Sequence, residues 1–159
     1  MTYKQVRDVV GRIRVCHQRM RESLERPRTR SPDPRTRRVL EALRRDEQEL
    51  QLCLAQFDRP DQQLLLDTWL QYAPVEELWE VLDQIEFTPE MTADEVVALK
   101  LEFDQALIRL LRQLGSQTAI PRVAEFFALL RENVESRASR QAWGVREYQG
   151  DGELPIPEQ

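Results

Sequence analysis

The chain has 159 residues, of which 41% are hydrophobic, and its net charge is -5. That length is close to the usual ~100–150 residues of one domain and supplies one hydrophobic core. The composition argues against an integral membrane protein, because no run approaches the roughly 20 apolar residues that a spanning helix needs. Two cysteines are too few for a disulfide framework, so we expect both to be reduced. The first residues lack the hydrophobic region of a signal peptide, and a cytoplasmic location is expected.

Charge is distributed unevenly along the sequence. Residues 1–45 carry 14 basic and 5 acidic side chains, whereas residues 46–159 carry 9 basic and 23 acidic ones. Such a split is compatible with a polyanion-binding end, an acidic partner surface or head-to-tail self-association. Of the 23 basic residues 21 are arginines, a bias that indicates a GC-rich bacterial genome.

Helical periodicity dominates the sequence from its beginning. The first helix is predicted over residues 2–25, with an apolar stripe that His17 interrupts, and it is expected to break at Pro27. After an irregular basic connection, Asp33 is a good N-cap for a second helix, predicted over residues 34–57.

Residues 61–87 carry bulky apolar side chains, among them Trp69, Tyr72 and Trp79. Proline residues and a capping aspartate divide this stretch into two short predicted helices. Apolar side chains of this size more often pack against a core, so the stretch is predicted to be an insert that covers the long helices. The alternative is that Trp69, Tyr72, Trp79 and Phe87 anchor a partner interface.

The third long helix begins with a capping box, Thr92-Ala-Asp-Glu95, and is predicted to end at Gly115. Pro121 opens the fourth helix. The polar segment 141–159 is rich in Gly and Pro and is predicted to be a flexible tail.

These elements predict an all-α fold with a single domain over residues 1–140. Four long amphipathic helices form two antiparallel hairpins, and the helical insert 61–87 is long enough to cross the length of a bundle between them. The expected architecture is therefore a four-helix bundle with a crossover connection.

The helix order and apolar rhythm over residues 2–140 resemble the ferritin-like superfamily, in its rubrerythrin-type form. The second helix, VLEALRRDEQELQLCLAQF, is similar to the superfamily helix on which an acid belongs to a metal-binding Glu-x-x-His pair. The third and fourth helices, EVVALKLEFDQALIRLLRQLG and VAEFFALLRENVESRA, have a similar pattern. The resemblance implies a ferritin-like four-helix bundle.

The metal-ligand motif of that superfamily is absent from the sequence. A di-iron site of this kind takes Glu-x-x-His on two helices and an inward Glu from each of the other two. The sole histidine, His17, lies on the first helix, and no acid of the second or fourth helix is followed by histidine three residues later. The chain is therefore interpreted as a degenerate, non-enzymatic member without a cofactor.

Three polar residues nevertheless fall on or beside the predicted core. In an antiparallel hairpin, His17 lies within about one helical turn of Asp46 or Glu47. On the third helix, Asp104 follows the core residue Phe103. Two interpretations are open: a residual iron or manganese site built from His17, Glu47 and Asp104, or a buried polar network, which is preferred because interior polar groups need partners.

Arginine residues cluster around one end of the first hairpin. Those predicted to contact a polyanion or a partner are Arg28, Arg30, Arg35, Arg37 and Arg38. Such a cluster binds phosphates or an acidic protein surface, or is simply solvated. No aromatic side chains are interleaved for base stacking, so nucleic acid is the less favoured partner.

The function expected from the sequence is non-enzymatic and works through protein–protein contacts, as a homodimer or with another protein. An atypical metal-binding protein that contains iron or manganese is the alternative, followed by polyanion binding at the arginine-rich end.

Overall fold

The computed structural model describes residues 4–55, 60–71 and 73–148, and in this part the chain is mostly helical, as predicted. Residues 56 and 57 of the predicted second helix, Tyr72 of the predicted insert and residues 149–159 of the predicted tail lie outside the described residues. The long helices are α1 (Val6–Arg30), α2 (Pro34–Ala55), α5 (Ala93–Gln117) and α6 (Pro121–Tyr148), and the shorter ones are α3 (Gln63–Leu66) and α4 (Val75–Gln84). A short 3-10 helix (Pro60–Gln62) directly before α3 and two short strands, β1 (Lys4–Gln5) and β2 (Trp69–Leu70), complete the elements.

Helices α1 and α2 form an antiparallel hairpin. An ion pair joins Arg28 to Glu41 at 3.2 Å near its closed end, and His17 contacts Glu47 farther along. Asp33 caps α2 as predicted, because its carboxylate accepts a hydrogen bond from the Arg35 backbone N–H at 3.2 Å.

The predicted break at Pro27 is wrong, because α1 continues through this residue to Arg30. A proline inside a helix removes one backbone donor and crowds the preceding turn. Here only the last turn follows it, and the Ser31 N–H closes that turn by donating to the Pro27 carbonyl at 2.9 Å. The proline ring is also buried, so packing offsets the lost bond.

Helices α5 and α6 pack against each other as the second hairpin. The predicted capping box starts α5: the Glu95 N–H donates to Thr92 Oγ1, and the Thr92 N–H donates to the Glu95 carboxylate, both at 3.2 Å. Gly115 is not the predicted stop, since α5 runs on to Gln117. It lies inside the helix, where an added Cβ would stand 3.7 Å from Phe127 Cβ.

The insert packs on the long helices, but its first half differs from the prediction. Helix α3 stops at Leu66, and the chain then forms β2, which pairs antiparallel with β1. The pairing is explained by the start of α1, whose first N–H groups lack partners within the helix. The Val6 N–H donates instead to the Thr68 carbonyl at 2.8 Å.

The second half of the insert, α4, contacts α1 and α5. Trp79 of α4 lies between two arginine side chains of α1, with the guanidinium carbons of Arg12 and Arg19 4.4 and 4.7 Å from its ring centroid. Such contacts stabilise by cation–π attraction and by covering the indole.

The core combines the apolar faces of all four long helices and the insert. Its largest fully buried apolar side chains are Phe103, Phe127, Ile13, Met20, Leu24, Leu40, Leu43, Leu54, Leu78, Leu107 and Leu111. Helix α6 extends to Tyr148, so the predicted tail is helical over 141–148. Within the described ranges, no helix has the length and apolar character needed to cross a membrane.

Candidate functional site

Three of the residues selected from the sequence meet in the interior. His17 comes from α1, Glu47 from α2 and Asp104 from α5, and each is at most 3% exposed. A fourth side chain, Lys100 of α5, lies between the two carboxylates and is equally buried. We call these four residues the buried network.

Lys100 is the centre of the buried network. Its Nζ lies 2.7 Å from Glu47 Oε1 and 2.5 Å from Asp104 Oδ1. Lys100 and Asp104 are four residues apart on α5 and therefore share one helix face. The second oxygen of Glu47 contacts His17 Nδ1, so the chain of contacts runs from α1 through α2 to α5.

The pKa values of the two buried carboxylates, Glu47 and Asp104, are shifted in opposite directions. Burial by itself raises the pKa of Glu47, but the Lys100 ammonium and the contact with His17 outweigh it and lower the pKa to about 2. Burial raises the pKa of Asp104 above its ordinary value, and Lys100 offsets this only in part. Burial lowers the pKa of Lys100, but the facing carboxylates outweigh it and raise the pKa above its ordinary value. Glu47 and Lys100 are thus both charged at neutral pH and form an ion pair, and Asp104 is the carboxylate that binds a proton more readily.

His17 is only half satisfied. Its Nδ1 faces Glu47, while Nε2 is buried and has no hydrogen-bond partner among the described residues. The imidazole packs edge-to-face on Phe103, with ring centroids 5.4 Å apart and planes at 89°. A buried nitrogen without a hydrogen-bond partner costs free energy of folding. Within the buried network, Nε2 is the atom whose burial no described contact offsets.

The arrangement suits an internal ammonium better than a metal ion. In the part of the chain that the structure describes, no group of three or more His, Cys, Asp and Glu residues can hold a metal. The Lys100 ammonium already faces both carboxylates and would repel a divalent cation placed beside them. A lysine held in its protonated form is also a poor nucleophile, since amine catalysis requires a lowered pKa.

Sequence reasoning missed Lys100. The signal was its spacing, because Lys100 stands four residues before Asp104 and three before the core residue Phe103, on the inward face of α5. Asp46, the alternative to Glu47, lies outside the network: its carboxylate accepts from Gln141 Nε2 of α6 at 2.9 Å.

A second candidate site is a cleft of about 550 Å³ on the first hairpin. Three of the five predicted arginine residues, Arg28, Arg37 and Arg38, line it, whereas Arg30 and Arg35 do not. The complete lining, here called the arginine cleft, is Arg28, Pro34, Arg37, Arg38, Glu41, Ala42 and Arg45.

Comparison with known proteins identifies no family. No protein-family model matches the chain, and no significant similarity to a curated protein or a solved structure was found. The functional conclusion therefore rests on the buried network and on the arginine cleft.

Proposed function

We propose that the chain is a non-catalytic helical protein that acts through protein–protein contacts, with its four long helices forming a ferritin-like four-helix bundle. The observation that carries this proposal is Lys100, whose ammonium takes the position between carboxylates of different helices that a bound cation would need. Because the charged groups in the interior are already paired with one another, we expect partners to be bound by surface side chains.

Self-association through the insert is part of the proposal. Two large apolar side chains of the insert face solvent: Leu64 is 81% exposed and Trp69 is 63% exposed. Exposed aromatic and aliphatic side chains of this size often anchor protein interfaces. The opposite net charges of residues 1–45 and 46–159 add an attraction between copies. We expect a homodimer in a reducing, cytoplasmic setting, consistent with two free cysteines.

Sedimentation equilibrium tests this proposal. We expect the wild-type chain to have twice its 18.8 kDa mass, and the double variant Leu64→Ser/Trp69→Ser to be monomeric. The matched control is Ile120→Ser/Leu129→Ser, which removes two other exposed apolar side chains and should leave the dimer intact. A wild-type chain that stays monomeric at high concentration would refute self-association.

A second candidate function is metal binding at His17, Glu47 and Asp104. It is favoured by one observation, the buried His17 Nε2 without a partner in the described ranges. An imidazole nitrogen of this kind is a common metal ligand. Binding would require Lys100 to leave its place between the carboxylates and the His17 ring to turn Nε2 toward them. Because His17 is one of the three proposed ligands, metal should be lost in His17→Ala. Metal analysis of both chains separates the two candidates.

A further inference from the structure

The arginine cleft follows one face of α2. Its residues Pro34, Arg38, Glu41 and Arg45 recur every three or four positions, which places them along one side of the helix. At 1.5 Å per residue this stripe is about 16 Å long. Arg28 of α1 also lines the cleft, beside this stripe of α2. An elongated cleft of these dimensions suits an extended chain better than a single compact anion.

The arginines of the cleft differ in how far they are already paired. Arg28 is held by Glu41 at 3.2 Å and also contacts Glu25. Among the residues described, no carboxylate pairs with Arg37 or Arg38, and both are exposed. Their guanidinium groups each present a planar set of donors that matches a carboxylate.

Arg45 is the third available cation. Its only ion pair within the described part of the chain is with Glu41, at 3.8 Å, and its side chain is 66% exposed. Arg37 and Arg38 lie on one turn of α2 and Arg45 lies about two turns later, so the three present positive charge about 10–12 Å apart along the helix axis, with Glu41 on the turn between.

The cleft is not uniformly basic. Glu41 lies in its lining, and the hydrogen bond from Arg44 lowers the pKa of Glu41, so that this carboxylate is ionised at neutral pH. A fixed negative charge in the middle disfavours a backbone of closely spaced phosphates. Pro34 and Ala42 add apolar surface, which a phosphate backbone would not use and a peptide would.

We propose that the arginine cleft docks an extended acidic peptide segment of a partner protein, with separate carboxylates bound by Arg37, Arg38 and Arg45. This inference rests on the proposed function and names the chemistry of its partner. In an extended peptide, side chains four positions apart are about 13 Å apart and point to the same side, so two of their carboxylates reach the Arg37/Arg38 turn and Arg45. The segment then passes Glu41 without placing an anion against it.

Fluorescence anisotropy with a labelled twelve-residue peptide, in which every fourth residue is glutamate and the others are alanine or serine, tests the docking site. The variant is Arg37→Gln/Arg38→Gln, and the charge-matched control is Arg109→Gln/Arg122→Gln, which neutralises two exposed arginines of α5 and α6. We expect the cleft variant to bind about tenfold more weakly than the wild type and the control to bind within about twofold of it. Circular dichroism checks that all chains are equally helical.

Three results would overturn the inference: no binding of the peptide by the wild type, equal losses in both variants, or stronger competition by a short DNA duplex than by unlabelled peptide at equal charge. The failure of this inference is distinct from that of the proposed function. A metal ion in the buried network would refute the proposed function whatever the peptide does. A metal-free dimer that ignores the peptide would refute only the docking site.

Discussion

At the residue scale, Glu47 is the side chain on which the buried network depends. One of its oxygens faces Lys100 and the other faces His17, so it joins α2 to both α5 and α1. Desolvating charged groups is costly, and the cost is offset only while every charge keeps its partner. The net contribution of the intact network to the free energy of folding is therefore small, although the loss of any one partner is costly.

Replacing Glu47 by Gln should destabilise the fold strongly. Lys100 keeps Asp104 but loses the carboxylate that is ionised at neutral pH, and breaking a buried pair typically costs about 3–5 kcal/mol. The control is Glu49→Gln, whose side chain is 53% exposed and whose loss should cost less than about 1 kcal/mol. Urea unfolding measures both, and similar losses in the two variants would contradict the central place of Glu47.

Glu47 also predicts a pH dependence. Its pKa in the folded chain is about 2, below the ordinary 4.5, so the unfolded chain takes up the proton first as the pH falls. Its contribution to stability is present above about pH 5 and is lost on acidification toward pH 2. Asp104, with a raised pKa, acts in the opposite sense: its contribution is present at low pH and is lost as the pH rises through its folded pKa.

The slope of the unfolding free energy between about pH 3 and pH 5 measures this effect. We expect the slope to be smaller in Glu47→Gln than in the wild type, while Glu49→Gln keeps the wild-type slope. Identical slopes in all three chains would show that Glu47 titrates in its ordinary range.

The two cysteines should differ in reactivity. Cys16 is buried, and burial raises its pKa to about 11 despite the nearby Arg12 and Arg19. Cys53 is only partly buried. A thiol reagent at neutral pH should therefore modify one thiol quickly, and Cys53→Ser should remove that fast phase. A fast phase that persists in Cys53→Ser would contradict the burial of Cys16.

At the element scale, the residues that cap the starts of helices could be predicted from the sequence, whereas the residues at which helices end could not. Asp33 and Thr92 act as caps through their own short-range hydrogen bonds, which can be inferred from a few neighbouring residues. Pro27 and Gly115 are helix breakers by propensity, but tertiary packing overrides them. The β1–β2 pairing joins residues far apart in sequence, which local patterns do not show.

Two glycines inside helices, Gly11 of α1 and Gly115 of α5, are sites where alanine should increase the stability of the fold. An added Cβ at Gly11 meets nothing within 4 Å, and at Gly115 it would make an ordinary contact with Phe127 Cβ at 3.7 Å. Each Gly→Ala change should stabilise the chain by about 0.5–1 kcal/mol, because alanine restricts the unfolded backbone. The reverse control, Ala98→Gly on the exposed face of α5, should destabilise by a similar amount in thermal unfolding. A loss of stability in Gly11→Ala would contradict the open space beside that residue.

At the scale of the whole molecule, the buried network couples three of the long helices through charge. The meeting of His17 with Glu47 could be predicted, since antiparallel register follows from a short connection. The identity of the group between Glu47 and Asp104 could not, because it depends on how α5 packs against the first hairpin. The sequence therefore leaves a metal site and a buried polar network as alternatives, whereas the structure shows Lys100 between the two carboxylates.

The central claim, that Lys100 replaces a bound cation, is tested most directly by elemental analysis of the chain. The protein is purified without chelators, exposed to Fe(II), Mn(II) and Zn(II), and freed of unbound ions, alongside His17→Ala. We predict only traces of metal, equal in both chains. Stoichiometric iron, manganese or zinc in the wild type that is lost in His17→Ala would contradict the claim and establish the buried network as a metal site.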